Sequence, residues 1–284
     1  MSDTTARHLQ DTVTLNNGVK MPWLGLGVFK VPEGSIVVDS VKTAIKNGYR
    51  SIDTAAVYRN EEGVGQALGE AMREYGVTRE ELFVTSKVWN SDQGFQTTLD
   101  AFDLSLKKLG LDYLDLYLVH WPVKGKYKET WKALEKIYAS GKVRAIGVSN
   151  FHVHHLEDLL AEAEIVPAVD QIELHPYLSQ TEIREFARSK GIRIEAWSPL
   201  GQGAVLGDPV IASLAAKYGK SPAQVILRWD LQSGIVTIPK SVNESRIVEN
   251  ASLFDFELTA EDMRTIDALN KNQRVGADPD NFNF

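Results

Sequence analysis

Along the chain, short apolar or β-branched runs alternate with longer stretches whose apolar residues return every three or four positions. The short runs fall at 23–27, 51–53, 82–86, 114–119, 143–148, 168–173, 193–196 and 235–238, and they predict strands. Between them lie eight stretches of helical period, "SIVVDSVKTAIKNG", "EEGVGQALGEAMREYG", "QTTLDAFDLSLKKLG", "KETWKALEKIYASG", "HVHHLEDLLAEA", "TEIREFARSKG", "SPAQVILRWDLQSG" and "ESRIVENASLF". Several end in glycine, the residue that most readily takes the left-handed turn closing a helix. Regular strand–helix alternation predicts a parallel sheet with helical crossovers, and eight repeats favour its closure into a (β/α)8 TIM barrel. Two pieces fall outside the repeat. "TVTLNNGVKMP" reads as a hairpin turning at Asn17 and Gly18, placed to plug the barrel's N-terminal mouth, and "DPVIASLAAKYGK" and "TAEDMRTIDALNK" read as extra helices.

Composition narrows the picture. At 284 residues and 43% hydrophobic, with no low-complexity tract or linker, the chain predicts one domain over residues 1–284. The absence of cysteine excludes disulfides, thiolate metal sites and a thiol nucleophile. A net charge of −7 argues against nucleic acid or an anionic membrane as partner, so any anionic ligand needs a local positive cluster. No run is long enough to cross a bilayer, and "MSDTTARHLQDTVTL" lacks the basic and apolar regions of a leader; a soluble, cytoplasmic protein is the expectation.

In such a barrel, chemistry belongs at the C-terminal ends of the strands. Asp53 ends the second strand, Lys87 follows the third and His120 the fourth, with Tyr58 in the loop after Asp53. Singly, each has a bland reading: a helix cap, a solvated amine, a packed ring. Together they suit proton donation to a carbonyl, because an ammonium beside a phenol favours its ionised form. Asp53 would keep Lys87 charged and aimed, and His120 would bond the carbonyl oxygen. None of the four can supply a hydride, so reduction calls for a cofactor.

These residues sit within "GYRSIDTAAVYRNEEGVG", "LFVTSKVWN", "LDYLDLYLVHWP", "GKVRAIGVSNF", "QIELHPY", "EAWSPLGQG" and "IPKSVNESRIVEN", and over nearly its whole length the chain resembles the aldo-keto reductases, above all bacterial glyoxal, methylglyoxal and 2,5-diketogluconate reductases. The resemblance implies a catalytic tetrad of Asp53, Tyr58, Lys87 and His120 with Tyr58 as the acid. It implies NADPH, with the nicotinamide carboxamide held by Ser149, Asn150 and Gln171 and the ring stacked on Trp197, where many relatives have tyrosine. Ser198, Leu200 and Gln202 would follow the pyrophosphate. Lys240, Ser241 and Arg246 would hold the 2′-phosphate, the positive cluster the acidic chain requires, with Glu249 and Asn250 near the adenine. Trp23, Phe29, Trp89 and Trp121 would wall a carbonyl pocket, left open by the short tail "RVGADPDNFNF". The implied activity is reduction of small aldehydes and reactive ketones by a monomer. Two alternatives stand beside it: a nicotinamide-responsive binding protein, as among potassium-channel β subunits, and a lyase or isomerase forming a Schiff base at Lys87.

Other signals are set aside. "GLGVF" and "GQGAVLG" lack the full dinucleotide fingerprint. His152, His154 and His155 open a polar helix without matching ligands nearby in the chain, so no metal is expected. His175 reads as a structural partner at a strand end, and Asp170 stands where many relatives carry asparagine.

Overall fold

The computed structural model describes residues 6–284. An antiparallel hairpin of β1 (Thr12–Thr14) and β2 (Lys20–Pro22) leads into β3 (Leu26–Gly27), α1 (Ser35–Lys46), β4 (Ser51–Asp53), α2 (Glu61–Tyr75), β5 (Phe83–Val88), α3 (Phe95–Leu109), β6 (Leu114–Val119) and α4 (Tyr127–Ala139). The chain continues through β7 (Val143–Ser149), α5 (Val153–Leu160), β8 (Val169–Glu173), α6 (Thr181–Ser189), β9 (Arg193–Trp197), α7 (Pro209–Tyr218), α8 (Pro222–Gln232), β10 (Val236–Thr237), α9 (Glu244–Ala251) and α10 (Ala260–Asp267). Helices α7 and α10 are the two expected outside the repeat.

Strands β3 to β10 form one parallel sheet in chain order. Its edges meet, for Leu24 bridges to Thr237 and Gly27 to Lys240, both in parallel. Gly25 N donates to Thr237 O and Thr237 N to Trp23 O, each at 3.0 Å, so the sheet closes into the expected barrel. Gly27 is required at this seam, because a Cβ there would lie 2.9 Å from the Ile238 carbonyl oxygen. The seam strands are shorter than their apolar runs; on the β10 side Pro239 follows, which has no N–H to extend a ladder.

Every residue of β5 and β6 is buried, as strands between a filled interior and a helical layer must be. The hairpin lies at the opposite end from the strand C-termini: Asn16 Nδ2 donates to Pro167 O and Asn17 Nδ2 to Arg144 O, both at 2.9 Å. The registers of β7, β8 and β9 set Ser149 beside Gln171 and Gln171 beside Glu195, which starts a polar layer across the upper interior. Among the described residues, no helix is long and apolar enough to cross a membrane.

Candidate active site

Asp53 closes β4, Lys87 lies near the end of β5, His120 follows β6, and Tyr58 ends a single 3₁₀ turn, Ala56–Tyr58. The barrel brings the four together. Lys87 is wholly buried, and its Nζ donates to Asp53 Oδ1 at 2.6 Å, to Thr54 O at 2.9 Å and to Tyr58 Oη at 3.3 Å. The Tyr58 turn is braced from behind by buried Asn60, whose Nδ2 donates to Val28 O and Val31 O while its Oδ1 accepts from Thr54 Oγ1 at 2.7 Å. One amide thus fixes the loops after β3 and β4 to each other.

Burial works against the charge on Lys87, but Asp53 and then Tyr58 outweigh it and hold the ammonium above the usual lysine value. A Schiff base needs a neutral amine, so this site is arranged against that chemistry. For Tyr58, burial is the largest influence and raises the phenol; the Lys87 charge opposes it without prevailing, a reversal of the expected net direction. Tyr58 is therefore neutral and carries its proton at physiological pH. Burial, then the Lys87 charge, pushes His120 well below the usual imidazole range, so its ring is neutral as well.

Two amides flank these groups. Gln171 Nε2 donates to Asp53 Oδ2 at 2.8 Å and to Glu195 Oε2 at 2.7 Å. Asn150, in the left-handed conformation with φ 63°, donates from Nδ2 to His120 O and Ser149 Oγ. Its Oδ1 accepts from Trp197 Nε1 at 2.8 Å, a bond made by the indole N–H, which a phenol ring lacks. Gly276 presses on the Trp197 ring, since a Cβ there would be 2.3 Å from Cη2. Buried Glu173 secures that segment by accepting from Val275 N at 2.6 Å and Gly276 N at 3.0 Å, and it also bonds His175 Nε2 at 2.9 Å, the structural role expected of that histidine. Asp170 is fully buried on the other face of β8 and burial holds it well above the carboxylate range.

A cavity of about 610 Å³, a size typical of ligand sites, opens over this floor. It takes in Asp53, Tyr58, His120, Ser149, Asn150, Gln171, Trp197, Ser198, Leu200 and Gln202, and it reaches Lys240 and Arg246. Those two cations form no ion pair among the described residues. Phe29, Trp89 and Trp121 line it as well.

The remaining expectations fare differently. Trp23 is away from the cavity, buried at the start of the seam with the Arg193 guanidinium 5.5 Å from its ring, because it precedes β3 and so lies at the wrong end of the barrel. Ser241, Glu249 and Asn250 do not line the cavity; Ser241 Oγ accepts from Asn243 N, and Glu249 Oε1 accepts from Ser221 Oγ at 2.7 Å. Phe284, which the sequence does not mark out, narrows the pocket expected to be open: it stacks on Trp89 at 5.8 Å and meets Trp121 edge-on at 5.1 Å.

The tail also supplies the partner that the three histidines lacked in sequence. His152 Nδ1 and His154 Nε2 lie 2.8 Å and 2.6 Å from the Asp280 carboxylate, and His155 Nε2 lies 3.5 Å away. Four such ligand atoms so close together have the make-up of a metal site. The protons argue for a clasp instead. His152 Nε2 accepts from Arg274 Nη2 and His155 Nδ1 from the His152 backbone N–H, so in both rings the proton sits on the nitrogen facing Asp280.

The sequence profile of the aldo/keto reductase family matches residues 24–271. Glyoxal reductase of Bacillus subtilis (strain 168) is 64% identical over 276 residues, covering 97% of this chain and 99% of that protein. Methylglyoxal reductase DkgA of Escherichia coli (strain K12) is 46% identical over 274 residues, covering 95% and 97%. Among solved structures, a mutant of Gox0644 in complex with NADPH superposes with a TM-score of 0.91 at 46% identity, over 97% of this chain and 99% of that one. The Bombyx mori aldo-keto reductase in complex with NADP gives 0.89 at 41% identity, over 95% of each chain. With the barrel, the buried tetrad and a family match spanning most of its length, this chain belongs to the aldo/keto reductase family of oxidoreductases.

Proposed function

We propose that the protein reduces small aldehydes and reactive ketones to alcohols with NADPH, glyoxal and methylglyoxal first among them, with 2,5-diketogluconate-like ketones and aromatic aldehydes as further candidates. The observation that carries this reading is the buried run from Asp53 through Lys87 to Tyr58 at the floor of a cavity also lined by two cations, Lys240 and Arg246, that form no ion pair among the described residues. That donor set fits the cofactor: Lys240 and Arg246 would hold the 2′-phosphate, Ser198, Leu200 and Gln202 would flank the pyrophosphate, and Ser149, Asn150, Gln171 and Trp197 would seat the nicotinamide.

When bound, NADPH supplies a hydride from nicotinamide C4. Tyr58 supplies the proton to the carbonyl oxygen. As that proton leaves, the phenolate forms 3.3 Å from the Lys87 ammonium, and Asp53 keeps the ammonium charged and pointed. Neutral His120, whose ring lies edge-on to Tyr58 at 5.8 Å, offers a second hydrogen bond to the same oxygen. Phe29, Trp89, Trp121 and Phe284 wall off a space suited to a small carbonyl and keep water from the developing charge. The similarity to reductases of glyoxal and methylglyoxal supports those substrates.

The test is loss of NADPH absorbance over a panel of glyoxal, methylglyoxal, 4-nitrobenzaldehyde and 2,5-diketogluconate, with NADH in parallel. NADPH-dependent turnover of the first two is expected, and Tyr58→Phe should bind NADPH but not turn over. Substantial turnover by Tyr58→Phe would refute the proton assignment; tight cofactor binding with no turnover of any carbonyl would favour a sensor role. The same reading has the chain working as a monomer in the cytoplasm, with sedimentation as the check on oligomeric state.

A further inference from the structure

Glu195 is a carboxyl group in the barrel interior that the reaction above does not use. It is 1% exposed, two residues before Trp197 on β9, in register with Gln171 on β8. Its Oε2 accepts one amide hydrogen of Gln171 at 2.7 Å, while Asp53 Oδ2 accepts the other at 2.8 Å. Its Oε1 is buried with no hydrogen-bond partner among the described residues.

We infer that Glu195 is a positioning residue for the cofactor, fixing the plane of the Gln171 amide so that its oxygen faces the cavity as an acceptor for the nicotinamide carboxamide. This rests on the reading of the cavity as an NADPH site. Asp53 is bound to the Lys87 ammonium through Oδ1 and presents Oδ2 as an acceptor, so it decides which end of the amide turns toward the barrel interior. One hydrogen bond leaves the amide free to swing about that bond; a second, from the other N–H, defines its plane. With both hydrogens of Nε2 committed inward, Gln171 Oε1 is left to the cavity that the residue lines.

The group's chemistry suits the task. Burial, then the nearby Asp53 charge, pushes Glu195 up to about 8, so at neutral pH it carries a proton. Oε2 already receives an N–H from Gln171, which places that proton on the unpartnered Oε1. A neutral acid can therefore accept from Gln171 without setting a second negative charge beside the Asp53–Lys87 pair. A glutamine side chain would serve equally; an apolar one would not.

The experiment compares dissociation constants for NADPH and for 2′-phospho-ADP-ribose, which lacks the nicotinamide, by quenching of tryptophan fluorescence. The readout is their ratio, in wild type, Glu195→Leu, Glu195→Gln, Gln171→Ala and Gln171→Ala/Glu195→Leu. Glu195→Leu should weaken NADPH about tenfold, the worth of roughly one hydrogen bond, and leave the fragment within about twofold. Glu195→Gln should keep the wild-type ratio, and Glu195→Leu should add nothing once Gln171 is alanine. An unchanged ratio in Glu195→Leu, an equal loss for both ligands, a loss in Glu195→Gln as large as in Glu195→Leu, or an effect persisting without Gln171 would each overturn the inference. Wild-type protein that binds NADPH no better than the fragment would instead sink the cofactor reading itself, before any substitution is made.

Discussion

Replacing Lys87 with methionine separates what the buried pair does for the fold from what it does for the reaction. The substitution nearly keeps the side chain's length but removes the donor to Asp53, Thr54 O and Tyr58. Asp53, 2% exposed, keeps only Gln171 on its other oxygen. Removing one member of a buried pair costs about 3–5 kcal/mol because the other is left charged and unmatched. Lys87 titrates above its ordinary value, so its contribution is complete at neutral pH and is lost only as pH rises through that raised value. The urea midpoint at neutral pH should therefore drop.

The catalytic loss is separate. A phenolate and an ammonium at the observed 3.3 Å attract by about 5 kcal/mol at an effective dielectric of ~20. If water entering the space restores part of this, about 3 kcal/mol remains, a fall of roughly a hundredfold in kcat. The assay is kcat with NADPH and methylglyoxal alongside urea unfolding, on Lys87→Met and on Asp53→Asn/Lys87→Met. The double variant should regain stability, since no lone carboxylate remains buried, and should not regain kcat. A single variant within threefold of wild-type kcat, or a double variant no more stable than the single one, would refute the reasoning.

Lys240→Ala should weaken NADPH by roughly tenfold to a hundredfold, as loss of a charge-assisted bond does, and leave NADH binding unchanged; titration with both cofactors checks it. Gly276→Ala should drive a methyl into Trp197 and weaken NADPH binding while barely moving the melting temperature, measurable by fluorescence titration and calorimetry. Asp170 titrates well above its unfolded value of about 3.9, so the folded chain keeps a proton that the unfolded chain loses, and stability falls as pH rises above roughly 4. Asp170→Asn should thus raise the urea midpoint at pH 8 by an amount that shrinks toward pH 4; a constant offset would contradict the assignment.

Much of this site could be read from the chain because a barrel turns strand-end position into spatial proximity. Asp53, Lys87 and His120 meet for that reason, and only the loop residue Tyr58 needed a chemical argument. The same rule holds the signal that was overlooked for Trp23, which precedes its strand and so belongs at the other mouth. Glu195 was also within reach: in "IEAW" it shares a face with Trp197 by the alternation of a strand. Phe284 and Asp280 were not. Asp280 meets a histidine 128 residues away through surface side chains, and no local pattern encodes that encounter. That Lys240 and Arg246 form no ion pair among the described residues is likewise a property of what the fold leaves around them.

The seam has a consequence for how the protein comes into being. Its two sides, at Leu24 and Thr237, are more than two hundred residues apart in the chain, and Lys240 is itself bridged to Gly27. During synthesis the tetrad residues leave the ribosome in the first half of the chain, but the barrel that presses them together cannot shut until the last strand emerges. Lys240, proposed above to hold the 2′-phosphate, arrives with that closure, so capacity to bind the cofactor should be absent from nascent chains and then be acquired in one late step.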